Sequence, residues 1–389
     1  MNPAIAIPAF SRPASLQRLL DAIAAADIPH GTPLLISVDR TQEPRHREGN
    51  AAVRDLVNRF RWPHGPLEVV FQPEPLGLVG NVFYCGAAAL TFGAAVVLED
   101  DLIVSARFHA YACRALDACG DDPRLAGISL NSPWFNGFTR QPFIPLLDDG
   151  DVFFLQLSTP QGQVYTAAQW AAFAGWLATA TSATGATLVH DMFASFPPDD
   201  WLGTKARYLA DTNRYYVYPR ESLTTASGDA GTHFSRATAF FQAPLQGRRR
   251  DFRFLPFDEA AAVYDSFYEL RPDRLDRLTD RLGSYVYNID LYATKPERQL
   301  RADTVLTTRP CRHPLLSFGR AQQPLEANVI AGTPGRGICL ARREDVDMGP
   351  LATRAARYAN DRYFARYDRP GRFNRLAGAL ANRLYYGRM

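Results

Sequence analysis

No run of about eighteen apolar residues occurs in the chain, which leaves no candidate for a membrane-spanning helix. The start, Met1-Asn2-Pro3-Ala4, has no basic stretch ahead of an apolar one, so no secretory leader is expected and the expected compartment is the cytoplasm. Cysteine is scarce. Cys85, Cys113, Cys119, Cys311 and Cys339 are odd in number and form no CxxC pair, which argues against a disulfide framework and against a zinc site. Phosphate-loop signatures are missing too: around Leu78-Val79, Gly77 and Gly80 have neither the dinucleotide spacing nor a following Gly-Lys-Ser/Thr, so they read as turn chemistry. No internal repeat is present, and with a formal charge of only +3 nucleic acid is not an expected partner.

What remains is the composition of an ordinary globular protein, 47% hydrophobic and 21% charged. Its 389 residues suit two domains, or one large α/β domain with an appendage. The charge is unevenly placed. Residues 350–389 hold nine Arg and two Asp, or +7, which leaves −4 on residues 1–349. Such a tail reads either as a basic helix on an anionic membrane surface or as a solvated helix packed on its own domain.

The stretch that organises the chain is Ala94-Ala95-Val96-Val97-Leu98-Glu99-Asp100-Asp101. Five apolar residues after Gly93 are too few for a helix and read as a strand buried on both faces, ending in three carboxylates. Asp pairs recur at 121–122, 148–149 and 199–200, where solvated turns or helix caps explain them, but only Asp100-Asp101 directly follows a buried strand. Carboxylates are costly to bury unpaired, so these are expected to face a cleft that takes a cation or a hydroxyl-rich ligand.

Upstream, the pattern alternates. A strand at Ala4–Ile7 closes at Pro8, a helix follows Ser11-Arg12-Pro13, and strands at Leu34–Val38 and Leu67–Phe71 flank a second helix. A third helix over about 81–92 leads into the acidic strand. Strand-helix alternation predicts an α/β layout with a parallel sheet and right-handed crossovers, with Arg12, Asp39, Asn81 and Glu99 to Asp101 gathered at one edge. Downstream, Leu125–Leu130 and Val152–Leu157 read as strands and Ala167–Leu177 as a helix. The aromatics Trp134, Phe135 and Phe138 lie in a long loop, either to stack on a sugar or to pin the loop to the core. Pro197-Pro198-Asp199-Asp200-Trp201 opens another helix, where Asp199 or Asp200 is either an N-cap or a working carboxylate. Past about residue 250 the segments turn Tyr-rich and β-like, at Tyr285–Tyr292, Val305–Thr308, Val329-Ile330 and Ile338–Leu340.

The order Ile7-Pro8-Ala9-Phe10-Ser11-Arg12, Ser37-Val38-Asp39, Ala94 through Leu102, Pro197-Pro198-Asp199-Asp200-Trp201 and Ala230-Gly231-Thr232-His233 resembles the GT-A glycosyltransferases. Within them it looks most like the Golgi enzyme that adds the β-1,2-linked N-acetylglucosamine starting complex N-glycans, and like bacterial enzymes of surface polysaccharide synthesis. The likeness spans roughly residues 3–240. It implies a GT-A, Rossmann-like sheet, mixed but mainly parallel and flanked by helices, in a catalytic domain over 1–250, with the nucleotide-sugar side at 1–130 and the acceptor side at 131–250; the change of pattern past about 250 and the charge of the tail set off a smaller accessory region over 251–349 and a basic helical tail over 350–389. Arg12 and Asp39 would by the same resemblance touch uracil and ribose of a UDP-sugar, and Pro8 and Asn81, at the same sheet edge, are expected in that nucleotide-sugar site with them. Glu99 and Asp100 would touch ribose and sugar, and Asp101 would hold Mn²⁺, or Mg²⁺, at the diphosphate. Asp199 would be the catalytic base with Asp200 beside it, and the loop with Gly231, Thr232 and His233 would close over the diphosphate, His233 being a candidate metal ligand. Pro198 departs from the family, which has an aromatic there.

The residue chemistry points the same way, since a diphosphate leaving group gathers negative charge that a carboxylate-held cation stabilises. The expected partners are a UDP-sugar donor and a glycan or lipid-linked glycan acceptor, with peripheral contact to the inner face of a membrane through the tail. Two other classes stay open. A sugar-phosphate nucleotidyltransferase uses a similar sheet and metal, though Pro8 to Arg12 lacks the Gly-rich loop it needs. A non-catalytic polysaccharide-binding protein would leave the carboxylates as solvated charge.

Overall fold

The structure, a computed structural model, describes residues 1–139, 141–197, 200–229, 241–247 and 251–349. Strand β1 (Ala4–Ala9) is buried along its length, Pro8 included. Helix α1 (Pro13–Ala24) starts on a proline, whose missing N–H costs nothing in a first turn, and turns Leu16, Leu19, Leu20 and Ile23 inward. The alternation continues through β2 (Leu34–Val38), α2 (Arg47–Arg59), β3 (Leu67–Phe71), α3 (Gly77–Phe92) and β4 (Ala94–Val97). Helix α3 begins four residues before the expected position 81. Asp39 supplies the reason: its carboxylate accepts the N–H groups of Leu76 and Gly77 at 2.8 and 3.0 Å, satisfying donors that the helix start leaves free.

The chain then forms β5 (Leu102–Val104), α4 (Phe108–Cys119), β6 (Leu125–Ser129), β7 (Val152–Leu155), β8 (Gln163–Thr166), α5 (Ala167–Thr179), α6 (Trp201–Asp211), β9 (Tyr215–Pro219), β10 (Thr224–Ala226) and β11 (Val263–Tyr264). A nine-stranded mixed sheet runs β11-β7-β9-β6-β8-β4-β1-β2-β3. Strand β1 is parallel to β2 and β4, and β2 to β3. Strand β8 lies antiparallel between β4 and β6. Successive side chains leave opposite faces of a strand, so Ile5 and Ile7 join a core with α1, α2 and α4, while Ala6 joins a second core with α3, α5 and α6.

A four-stranded sheet follows, built from β12 (Tyr287–Asp290), β13 (Thr304–Thr307), β14 (Pro314–Phe318) and β15 (Ile338–Arg342) in the order β12-β13-β15-β14. Ile289, Leu306 and Leu340 share the second core with Tyr216 and Tyr264, so the apolar interior continues into this sheet without a break. The edge strand β11 of the large sheet likewise comes from beyond residue 250. Val329-Ile330, read as a strand, lies in a short helix over Ala327–Ala331. There Gly332 takes the left-handed conformation (φ +64°) that ends a helix, and Asn328 holds the preceding turn by accepting the N–H groups of Ala321 and Gln322. In the loop before β7, Phe138 stacks on His190 (centroids 4.0 Å apart, planes within 7°) and meets Phe193, which pins that loop down.

Candidate active site

Parallel pairing of β4, β1 and β2 brings their carboxyl ends to one sheet edge, the place where open α/β sheets take ligands. Pairing of β4 with β1 runs one residue past the strand, as Leu98 N–H donates to the Ala6 carbonyl at 3.0 Å, and the next three residues are Glu99, Asp100 and Asp101. From the end of β1, Arg12 reaches across. Its Nη1 donates to Asp101 Oδ2 at 2.7 Å and its Nη2 pairs with Asp100.

These charges are strongly perturbed. Burial pushes the Glu99 carboxyl up to about 8, helped by Asp101 and Asp100, with Arg12 opposing. Burial also raises Asp100, to about 6, against the pull of Arg12. For Arg12 burial works downward, but the two aspartates outweigh it and hold the guanidinium above its usual range. Asp101 is the more open aspartate of the pair, its side chain 26% exposed against 6% for Asp100.

Other expected site residues serve the scaffold. Asn81 is 4% exposed and spends its carboxamide on Ser37 and on the Ala9 carbonyl, locking the ends of β1 and β2 together. Asp39, equally buried, braces the start of α3, and Pro8 pairs with Ser37 inside the sheet. Asp200 is an N-cap: its Oδ1 accepts the Gly203 N–H at 2.8 Å and starts α6. Asp199, Gly231, Thr232 and His233 lie outside the described residues, as does the tail from 350. The chain that leads toward them is anchored beside the carboxylates. Strand β10 pairs with β5, Ser227 N–H donates to the Asp101 carbonyl at 2.9 Å, and Asp229 accepts from Ser15 Oγ on α1 at 2.9 Å.

Next to Glu99 opens a narrow pocket lined by Val82, Phe83, Tyr165, Trp170, Trp201 and Lys205, with Gln163 on its wall. It is walled by α3 and α5 and by α6, the helix that follows Asp199-Asp200. Tyr165 donates to Gln163, and Tyr216 donates to the Tyr165 oxygen at 2.9 Å, which orients this wall. Lys205 was not singled out from sequence, although a signal exists: it falls at i+4 from Trp201, on the stripe that Tyr208 and Leu209 continue into the core. Among the described residues, no group of three His, Cys, Asp or Glu side chains is placed to hold a metal ion.

A scan against protein-family models and a search of curated proteins give no match. Among solved structures, the chain is similar to a fragment (residues 1-349) of TarS from Staphylococcus aureus, with a TM-score of 0.36 and 13% identity over 59% of this chain and 61% of that one. The same fragment in complex with UDP-GlcNAc gives 0.33 and 14% over 57% and 60%. GalNAc-T7 with UDP, GalNAc and Mn²⁺ gives 0.34 and 8% over 56% and 42%. The match therefore spans less than two thirds of each of these chains.

Proposed function

We propose that this chain is a metal-dependent, inverting glycosyltransferase of the GT-A kind, a cytoplasmic enzyme moving a sugar from a UDP-sugar to a hydroxyl of a glycan acceptor in surface polysaccharide synthesis. The reading rests on one arrangement: three carboxylates at the carboxyl end of a buried parallel strand, two of them bridged by Arg12, beside a pocket that joins them to α6. A hard divalent cation suits this donor set. Asp101 is the more open carboxylate, and because Mn²⁺ and Mg²⁺ prefer oxygen ligands it would hold the cation, with His233 as a further candidate ligand. Bound there, the cation supplies charge stabilisation to the departing diphosphate. Arg12, already against Asp101, is placed to meet the nucleotide once the aspartate turns to its ligand. Glu99 and Asp100 would contact ribose and sugar, and Asp199 would take the proton of the attacking hydroxyl.

The test is UDP release by the full chain over a panel of UDP-sugars with Mn²⁺ or Mg²⁺. Asp101→Ala is expected to abolish metal-dependent UDP binding in calorimetry while the fold persists, because a strand-end carboxylate packs against little. Unchanged affinity with unchanged metal dependence would remove Asp101 from the site. Pyrophosphate formed from UTP and a sugar 1-phosphate would mark a nucleotidyltransferase instead, and binding of polysaccharide without turnover of either kind would mark a binding protein.

The +7 on residues 350–389 suits an anionic membrane surface, where a lipid-linked acceptor would lie. Truncation before Pro350 is expected to weaken co-sedimentation with anionic liposomes, and equal pelleting of both forms would count against it.

A further inference from the structure

The five cysteine thiols of this chain are not alike. Cys85 and Cys119 are buried, and burial pushes both thiols far up, that of Cys119 to about 12. Cys113 is half-buried and raised for the same reason. A thiol held protonated is a poor nucleophile, so these three are inert. Cys311 and Cys339, half-buried in the second sheet, differ in that each has the other for a neighbour.

Strand register brings them together. Along β15, Ile338 and Leu340 turn into the core shared with the large sheet, so Cys339 and Ala341 leave the opposite face. On that face Cys339 stands between Thr307 of β13 and Ser317 of β14, and Ala341 meets Val305. The turn after β13 folds over the same face. There Cys311 bridges Val346, packs against the small cluster of Leu300, Val305, Ala341 and Val346, and has its Sγ 3.3 Å from the Arg309 carbonyl oxygen. This places the Cys311 and Cys339 thiols within hydrogen-bonding reach of each other. The contact is unequal. Hydrogen bonds from Cys311 and from the Ser317 hydroxyl hold Cys339 below the usual thiol range against the effect of burial, while the same contact and burial raise Cys311. A half-exposed thiolate beside a second thiol that can displace from it is how oxidation-sensitive cysteines are arranged.

We infer that Cys311 and Cys339 form a reversible oxidation site, closing a disulfide across the second sheet with hydrogen peroxide as the oxidant. The Cys339 thiolate attacks one peroxide oxygen, the O–O bond breaks, and the departing hydroxide takes up the proton that the thiol had released. Cys339 is then a sulfenic acid, its sulfur oxidised by two electrons and the peroxide reduced. Cys311 attacks that sulfur, the S–S bond forms as the S–O bond breaks, and the Cys311 proton leaves with the hydroxyl as water. Two thiols and one peroxide thus give one disulfide and two waters. The bond closes a loop that carries β14 and the helix over Ala327–Ala331, which restricts the unfolded chain more than the folded one. None of this depends on the nucleotide-sugar site.

The full chain, reduced with dithiothreitol and then freed of it, is treated with hydrogen peroxide in native buffer, and its thiols are counted before and after with a chromogenic disulfide reagent. The wild type is expected to lose two of its five thiols, with Cys311 joined to Cys339 in the peptide mass spectrum, and dithiothreitol should restore both. Cys311→Ser removes the second thiol, so dimedone should trap Cys339 as its sulfenic acid. Cys339→Ser should lose no thiol, and Cys339→Ala serves if the serine variant does not fold. Oxidation should also raise the urea midpoint of the wild type and leave that of the Cys339 variant where it was. A wild type that keeps all its thiols, a disulfide through any other cysteine, a Cys311–Cys339 bond that forms only in urea, or a midpoint that the bond leaves unmoved overturns the proposal.

Discussion

Asp199 and Asp200 are neighbours with separable roles. Asp200 accepts the Gly203 N–H as the N-cap of α6, and asparagine keeps a capping oxygen, so Asp200→Asn should be mild. Asp199→Asn removes basicity, and turnover is expected to fall by roughly 10²–10⁴, the worth of a general base, while UDP-sugar binding persists. Near-wild-type turnover, or a product with retained anomeric configuration, would rule Asp199 out as the base of an inverting transfer. At this scale the sequence was informative where charge broke a simple pattern: Glu99 to Asp101 stand out because an apolar run stops in acid. It was silent on partners that only tertiary pairing creates. Nothing local says that Arg12 spans Asp100 and Asp101, or that Asn81 and Asp39 turn inward to hold strand ends and a helix start.

The parallel half of the sheet was legible because Val, Ile and Leu runs alternate with helical spacing from β1 to β4. Strands β8 and β14 were not. Gln163–Thr166 is four residues long and follows Gly162 at φ +92°, so it reads as a turn until both neighbouring strands are in place. Helix contacts are equally non-local. Gly86 on α3 faces Trp170 of α5, and a Cβ there would lie 2.1 Å from the indole Cη2. Gly86→Ala must therefore push the indole or the helix aside, at about 1–3 kcal/mol, the usual cost of overpacking. The urea midpoint should fall with little change in slope. An unaltered midpoint would mean that the two helices separate more freely than their packing indicates.

For the molecule as a whole, the second sheet meets the first across a shared apolar core that also holds buried acid. Glu326 is raised to about 7 by burial, and it accepts the Tyr264 hydroxyl at 2.8 Å. A carboxyl whose folded pKa lies above its unfolded value of 4.5 stabilises the fold fully below about 4.5, and that contribution drains away as pH rises through about 7. Glutamine imitates the protonated form and keeps an acceptor for Tyr264. Glu326→Gln should therefore match the wild type near pH 4.5 and exceed it at pH 8, by up to roughly 3 kcal/mol for a shift of this size. Urea titrations at the two pH values check it, and an offset independent of pH would refute it. Sequence could not disclose this acid, since Glu326 sits in a polar-looking turn and is buried only when Tyr264 arrives from the other sheet.

In the large sheet strand β8 lies between the β4 side and the β6 side, and it runs against both. A ribosome completes β1 to β4 well before it reaches Gln163. Throughout that interval the strand bearing Glu99 to Asp101 has one row of backbone donors and acceptors with no neighbour, an invitation to strands of other chains. The acidic edge on which the proposed chemistry depends is thus secured late, by residues whose own sequence gives little hint that they complete it.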